Sequence, residues 1–149
     1  MGTHHKGPKK EVIALNTYIK LVRAVESLNQ RLYPFLIKNN LSESQFSVLE
    51  ALYHLGPMYQ RELSDKLLKS PGNITMVIDN LEKRKYVKRE RGEIDRRHYI
   101  IHLTSEGKEF IGKIFPEHVS TIVQELNVLS EEEQCQLQKM CKEIGLKTQ

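Results

Sequence analysis

The sequence predicts a mainly α-helical fold in which two short helices and a two-stranded β-wing stand between long N- and C-terminal helices. Three observations predict it. Apolar residues recur every three or four positions over most of the 149 residues, the period of a helix buried on one side. Serine-led capping signatures and Gly-Pro or Ser-Pro pairs cut that pattern into separate helices. One stretch, residues 86–103, changes to the two-residue period of strands.

The first helix is expected over residues 11–38, with Val12, Leu15, Ile19, Val22, Leu28, Leu32 and Phe35 as its apolar stripe. Pro34 is expected to end or kink it. A stripe this long exceeds what one small domain covers, and packing against a second subunit is one natural answer. Residues 1–10, which include His4, His5, Lys9 and Lys10, are set aside as a disordered or expression-derived tail.

The second helix is announced by Ser42 and Gln45, a capping box, with Leu41 and Phe46 placed as a hydrophobic staple. It turns Phe46, Leu49, Leu52 and Tyr53 inward and stops at Gly56, expected to be left-handed, before Pro57. A short third helix covers about residues 60–68, with Leu63, Leu67 and Leu68 apolar. Ser70 then caps a fourth helix, and Pro71 takes its first position, where a missing N–H costs nothing. Ile74, Val77, Ile78 and Leu81 line one face of it. Gly72, Asn73, Thr75, Met76, Asp79, Asn80 and Lys83 occupy the opposite face.

Residues 86–89 and 98–103 form the two expected strands, with Tyr99, Ile101 and Leu103 on one face of the second. The polar loop between them carries Gly92 near its tip. A long helix follows Thr104 to about residue 128, bent at Pro116. Ser130 and Glu133 form a capping box that opens a last helix with Leu137, Met140 and Ile144. The expected organisation is a long N-terminal helix (11–38), a winged helix-turn-helix (41–104) and C-terminal helices (105–149).

The charge is unevenly placed. Residues 83–97 carry eight basic and three acidic side chains, a net +5 against +4 for the whole chain. Positive charge concentrated in one short stretch is the footprint expected of a nucleic-acid site. The fourth helix supplies the complementary chemistry: an apolar stripe to anchor it, and short polar groups near its N-terminus, where base edges lie in a major groove. The residues expected at double-stranded DNA are Ser70, Gly72, Asn73, Thr75, Met76, Asn80 and Lys83 of this helix. Arg89, Arg91, Arg96 and Arg97 join them from the wing, with Asp95 expected to orient a wing arginine.

Other classes find less support. No nucleophile elbow, phosphate-cradling glycine loop or His-Glu-x-x-His helix is present, so no catalytic residues and no cofactor are expected. His98 and His102 share a strand face but stand about 13 Å apart along it, too far for one metal ion. No apolar run or leader suggests a membrane, and a cytoplasmic protein is expected. Cys135 and Cys141, six apart on one helix, point about 120° apart and are expected to stay reduced.

Several segments together resemble the multiple-antibiotic-resistance regulator (MarR) family: Leu41 to Leu49, Gly56-Pro57-Met58, Glu62-Leu63, Ser70 to Thr75, and Val77 to Lys83. Most specific is Asp95-Arg96-Arg97 followed by Leu103-Thr104-Ser105-Glu106-Gly107, similar to the family's wing signature. The resemblance implies a homodimer whose terminal helices (11–38 and 105–149) interlock as its dimerisation region, a pseudo-palindromic operator, repression, and release by a small aromatic or phenolic effector. Tyr18, Tyr33, Phe46, Tyr53 and His54 are the candidates for that effector's pocket. Tyr59 departs from the family pattern, where a Thr or Ser caps the third helix. Two alternatives stay open: a thiol-based redox regulator using Cys135 or Cys141, and a winged-helix module that binds protein and not DNA.

Overall fold

The computed structural model describes residues 1–147, which divide into two compact units, residues 1–116 and the residues from Glu117 onward. The order of elements is α1 (Lys9–Lys38), α2 (Glu43–Leu55), β1 (Met58–Tyr59), α3 (Gln60–Leu67), α4 (Pro71–Lys83), β2 (Val87–Arg91), β3 (Tyr99–Leu103), α5 (Ser105–Leu126) and α6 (Glu131–Gly145).

The core of the first unit is built from Val48 and Leu49 of α2, Leu63 of α3, Ile74, Ile78 and Leu81 of α4, Val87 and Ile101 of the sheet, and Ile111 of α5, all essentially sealed from solvent. These are the apolar stripes of the sequence brought together. At one side Phe46 meets Phe35 edge-on, ring centroids 5.4 Å apart. At another Tyr86 stacks on Phe110 at 4.5 Å.

The sheet has three strands in the order β1-β3-β2, not two. Met58 and Tyr59 pair antiparallel with Ile101 and Ile100, while Val87 to Arg91 pair with Leu103 to Tyr99. A two-residue strand is too short to show alternation, and its partner lies far along the chain, so no local pattern betrays it.

Most helix ends follow their capping chemistry. Ser42 and Gln45 make both bonds of the capping box, as do Ser130 and Glu133. Gly56 has φ +82° but ψ −174°, so it is an extended glycine-only conformation and not the left-handed helical one. The first helix takes in Lys9 and Lys10, and Pro34 lies inside it without ending it. The backbone N–H of Thr3 donates to Asn16 Oδ1 at 2.7 Å, so part of the segment set aside as a tail touches α1. Leu68, expected on the apolar face of α3, instead closes that helix in the left-handed conformation (φ 52°) and is 91% exposed. Ser64 Oγ donates to Lys69 O beneath it and holds the turn into α4.

The wing is joined to α5 by a tight device. Thr104 Oγ1 donates to the carbonyl of Lys85, itself at positive φ, and accepts from the Gly107 N–H. Gly107 then passes directly under Tyr86. These contacts give the Leu-Thr-x-x-Gly segment its physical meaning.

Both units leave apolar surface uncovered. On α1 only Phe35 is buried, while Ile13, Leu15, Tyr18, Val22 and Val25 are exposed. In the second unit Val119, Val123, Leu137, Met140 and Ile144 are exposed, and α6 buries no residue.

Candidate nucleic-acid interface

The N-terminus of α4 is built by Ser70, whose Oγ accepts from the Asn73 N–H at 3.1 Å, and by Pro71 at the first position. A helix that starts this way presents its free amides and positive dipole end outward, which favours an anion such as phosphate. Beside it lies a cleft of about 390 Å³ lined by Gln60, Arg61, Ser64, Asp65 and Pro71, and by Arg97, His98 and Tyr99 of the wing. The start of α4 and the wing therefore face one space.

Residues expected at DNA fall into two groups. Gly72, Met76 and Lys83 are exposed on α4, and so are Arg91, Arg96 and Arg97 on the wing. Of the others, Ser70, Thr75, Asn80 and Arg89 have side-chain bonds within the chain. Thr75 Oγ1 donates to Pro71 O and accepts from Gln60 Nε2 at 2.8 Å. Asn80 Oδ1 accepts from Gln45 Nε2 at 2.9 Å. Asn73 is half-buried, and its Oδ1 is shielded without a donor among the described residues.

Arg89 is the clearest departure from expectation. Its side chain is 16% exposed and lies against α4, not out toward solvent. It donates to Glu82 Oε1 at 3.0 Å, to Asp79 Oδ1 and to the carbonyl of Thr75, and its own backbone N–H donates to Glu82 Oε2. Two acids one turn apart on α4 draw the guanidinium in, an attraction that no local reading of the strand reveals.

The wing loop is ordered by its own charges. Asp95 Oδ1 accepts from the Arg97 backbone N–H at 3.1 Å and from Arg97 Nε at 3.2 Å. The Arg97 side-chain and backbone bonds hold the Asp95 carboxyl below its ordinary range. Arg97 itself remains 86% exposed, although its guanidinium is held on one edge, with Nη2 donating to Asp95 Oδ2 at 3.4 Å beside the Nε bond. Arg91 donates to the carbonyl of Arg96 at 2.7 Å and lies over the Tyr99 ring opposite it in the sheet. Lys88, with His102 second, holds the Glu90 carboxyl below its ordinary range. Gly92 allows no side chain, since a Cβ there would meet Asp95 O at 2.7 Å and the Tyr59 hydroxyl at 2.8 Å.

Gln60, Arg61, His98 and Tyr99 were not singled out from sequence as interface residues, yet they line the cleft. The cross-strand register of Arg91 and Tyr99 is the signal that could have found one of them. At Tyr59 the side chain supplies no cap, but its N–H donates to Glu62 Oε2 at 2.8 Å, half of the reciprocal pair.

The effector candidates do not gather in one place. Phe46 is core, against Phe35. Tyr53 meets His54 at 5.0 Å and His54 meets Phe115 at 4.6 Å, a cluster that includes a ring not expected there. Tyr18 and Tyr33 are exposed on α1. Cys135 and Cys141 are both unbridged and exposed. Among the described residues no helix is long and apolar enough to cross a membrane.

This architecture, a capped helix-turn-helix with an arginine-bearing wing, defines a winged helix-turn-helix protein. The model of the MarR family matches residues 41–99. The HTH-type transcriptional regulator MhqR of Bacillus subtilis is 36% identical over 89% of this chain and 92% of its own length. The chain belongs to the MarR family. Among solved structures, a mutant MarR from E. coli complexed with operator DNA aligns over 93% of this chain and 99% of its own, with TM-score 0.77 and 20% identity. BpsR of Bordetella bronchiseptica, whose structure concerns regulation of DNA binding by 6-hydroxynicotinic acid, aligns over 87% and 98%, with TM-score 0.78 and 19% identity.

Proposed function

We propose that this regulator is a repressor that binds a pseudo-palindromic operator as a homodimer and is released by a small aromatic or phenolic ligand. Each copy places α4 in a major groove and its wing over the adjoining minor groove. The observation that carries the reading is the cleft shared by Pro71 at the start of α4 and Arg97 of the wing. It directs a helix N-terminus and an exposed guanidinium toward one polyanion. The +5 charge of residues 83–97 adds the electrostatic attraction.

The second copy of the chain covers the apolar faces that α1 and α6 leave exposed. Operator DNA in the E. coli MarR structure, and the hydroxylated aromatic acid that regulates BpsR, support the DNA and ligand parts of the reading. Arg91, Arg96 and Arg97 are the wing contacts in this proposal. Arg89 acts through Asp79 and Glu82 as a positioning residue. The Tyr53–His54–Phe115 cluster is the aromatic surface offered to the effector.

The test is a binding titration on a duplex from the chain's own promoter region beside a scrambled duplex, over a salt series. Preference for the promoter with a steep negative salt slope supports the reading. Repeating the titration with hydroxylated benzoates tests release. Equal, weak binding to both duplexes sinks operator recognition at that promoter.

A further inference from the structure

We propose that Met76 reads the methyl group of a thymine in the major groove, an inference that rests on the DNA-binding reading above. Successive residues of a helix are turned by about 100°. With Ile74, Val77, Ile78 and Leu81 facing the core, the residues pointing most directly away from it are Gly72, Met76, Asp79 and Lys83. Asn73 and Asn80 fall on one flank of that outward row, and Thr75 and Glu82 on the other.

The flanks are largely spoken for. Asn80 Oδ1 holds Gln45, Thr75 Oγ1 holds Gln60, and Glu82 holds Arg89. In the outward row Asp79 is also held by Arg89, and Lys83 is the last residue of the helix. Gly72 has no side chain, and the space where one would stand is open. That leaves Met76 as the outward side chain of the first two turns, the part of a recognition helix that reaches base edges. It is 65% exposed, apolar and flexible.

An exposed methionine there gains nothing within the isolated chain. In a major groove its match is the C5-methyl of thymine, the apolar feature of the base edges. Gly72, one turn earlier, lets the helix backbone approach closely enough for the contact to form.

The experiment first selects the preferred site of the full-length protein from a pool of random duplexes. Each thymine of that site is then replaced by deoxyuridine, which removes the methyl group alone. At one position per half-site the replacement is expected to weaken wild-type binding by roughly fourfold, the worth of one buried methyl. Met76→Ala is expected to erase that penalty, and Met76→Leu, still apolar, to keep it. Because Met76 is exposed, both variants are expected to melt like the wild type. A wild type indifferent to every deoxyuridine, a selected site without thymine, or a penalty unchanged in Met76→Ala overturns the proposal. A wild type that enriches no sequence overturns the DNA-binding reading itself, a distinct result.

Discussion

Gly107 lies so close beneath Tyr86 that a Cβ added to it would stand 2.0 Å from the Tyr86 carbonyl oxygen. The obstacle is backbone, which cannot swing aside as a side chain would. The start of α5 and the turn into β2 are packed against each other through this contact, with Tyr86 stacked on Phe110 beside it.

Gly107→Ala is therefore expected to destabilise the first unit by about 1–3 kcal/mol, the range of forced overpacking. Urea denaturation followed by circular dichroism measures it. A loss under about 0.5 kcal/mol, the scale of a neutral surface change, would show that α5 can slide without penalty.

Arg89→Ala is expected to lower stability by roughly 1–2 kcal/mol, since it removes several hydrogen bonds to partly exposed charged groups. It also leaves Asp79 and Glu82 uncompensated on the helix proposed to face DNA. Operator affinity should fall while the salt slope stays near that of the wild type. A slope smaller by about one would mean that Arg89 touches a phosphate after all.

Arg97→Ala is expected to weaken operator binding by about 1–3 kcal/mol and to reduce the salt slope by about one. Asp95→Asn keeps the arginine's charge but loosens its hold, so a smaller loss of affinity with an unchanged slope is expected. Filter binding over a salt series separates the two. Equal slopes in both variants would remove Arg97 from the interface.

The Asp95 carboxyl is depressed by Arg97, which fixes the direction of its pH dependence. A carboxylate with a lowered folded pKa supports the ordered wing above its unfolded value and loses that support as pH falls through the folded one. The Asp95–Arg97 pairing should therefore be flat with pH through neutrality and open only below the ordinary carboxylate range. Carboxyl carbon shifts in an NMR titration report it. A midpoint at or above the ordinary aspartate value would contradict the pairing.

Val22→Asp together with Val25→Asp places two charges on the exposed apolar side of α1. In the proposed homodimer this buries unpaired charge, so the double variant is expected to sediment as a folded monomer. A dimer of unchanged stability would show that this part of α1 lies outside the interface.

Much of the fold was legible because its signals are local. Ser42 with Gln45, Ser70 with Pro71, and Ser130 with Glu133 each mark a helix start within a few residues. The exposed members of the candidate site, Met76, Lys83, Arg96 and Arg97, were equally readable from helix spacing and charge. What escaped depends on partners distant in sequence. Arg89 looks like any wing arginine until Asp79 and Glu82 are brought beside it. Asn80 looks like a base reader until Gln45 arrives from α2. Strand β1 exists only because Ile100 and Ile101 lie next to it.

The strand order β1-β3-β2 has a mechanical consequence. Strand β3 is bonded on one edge to β2, its partner in the wing, and on the other to the two residues that lead straight into α3. The wing is thus not a separate finger on a flexible stalk. It is a lever soldered to the helix-turn-helix, and tilting α3 must tilt the wing with it. In the proposed operator complex, groove contact and wing contact would therefore be made or broken in a single stroke.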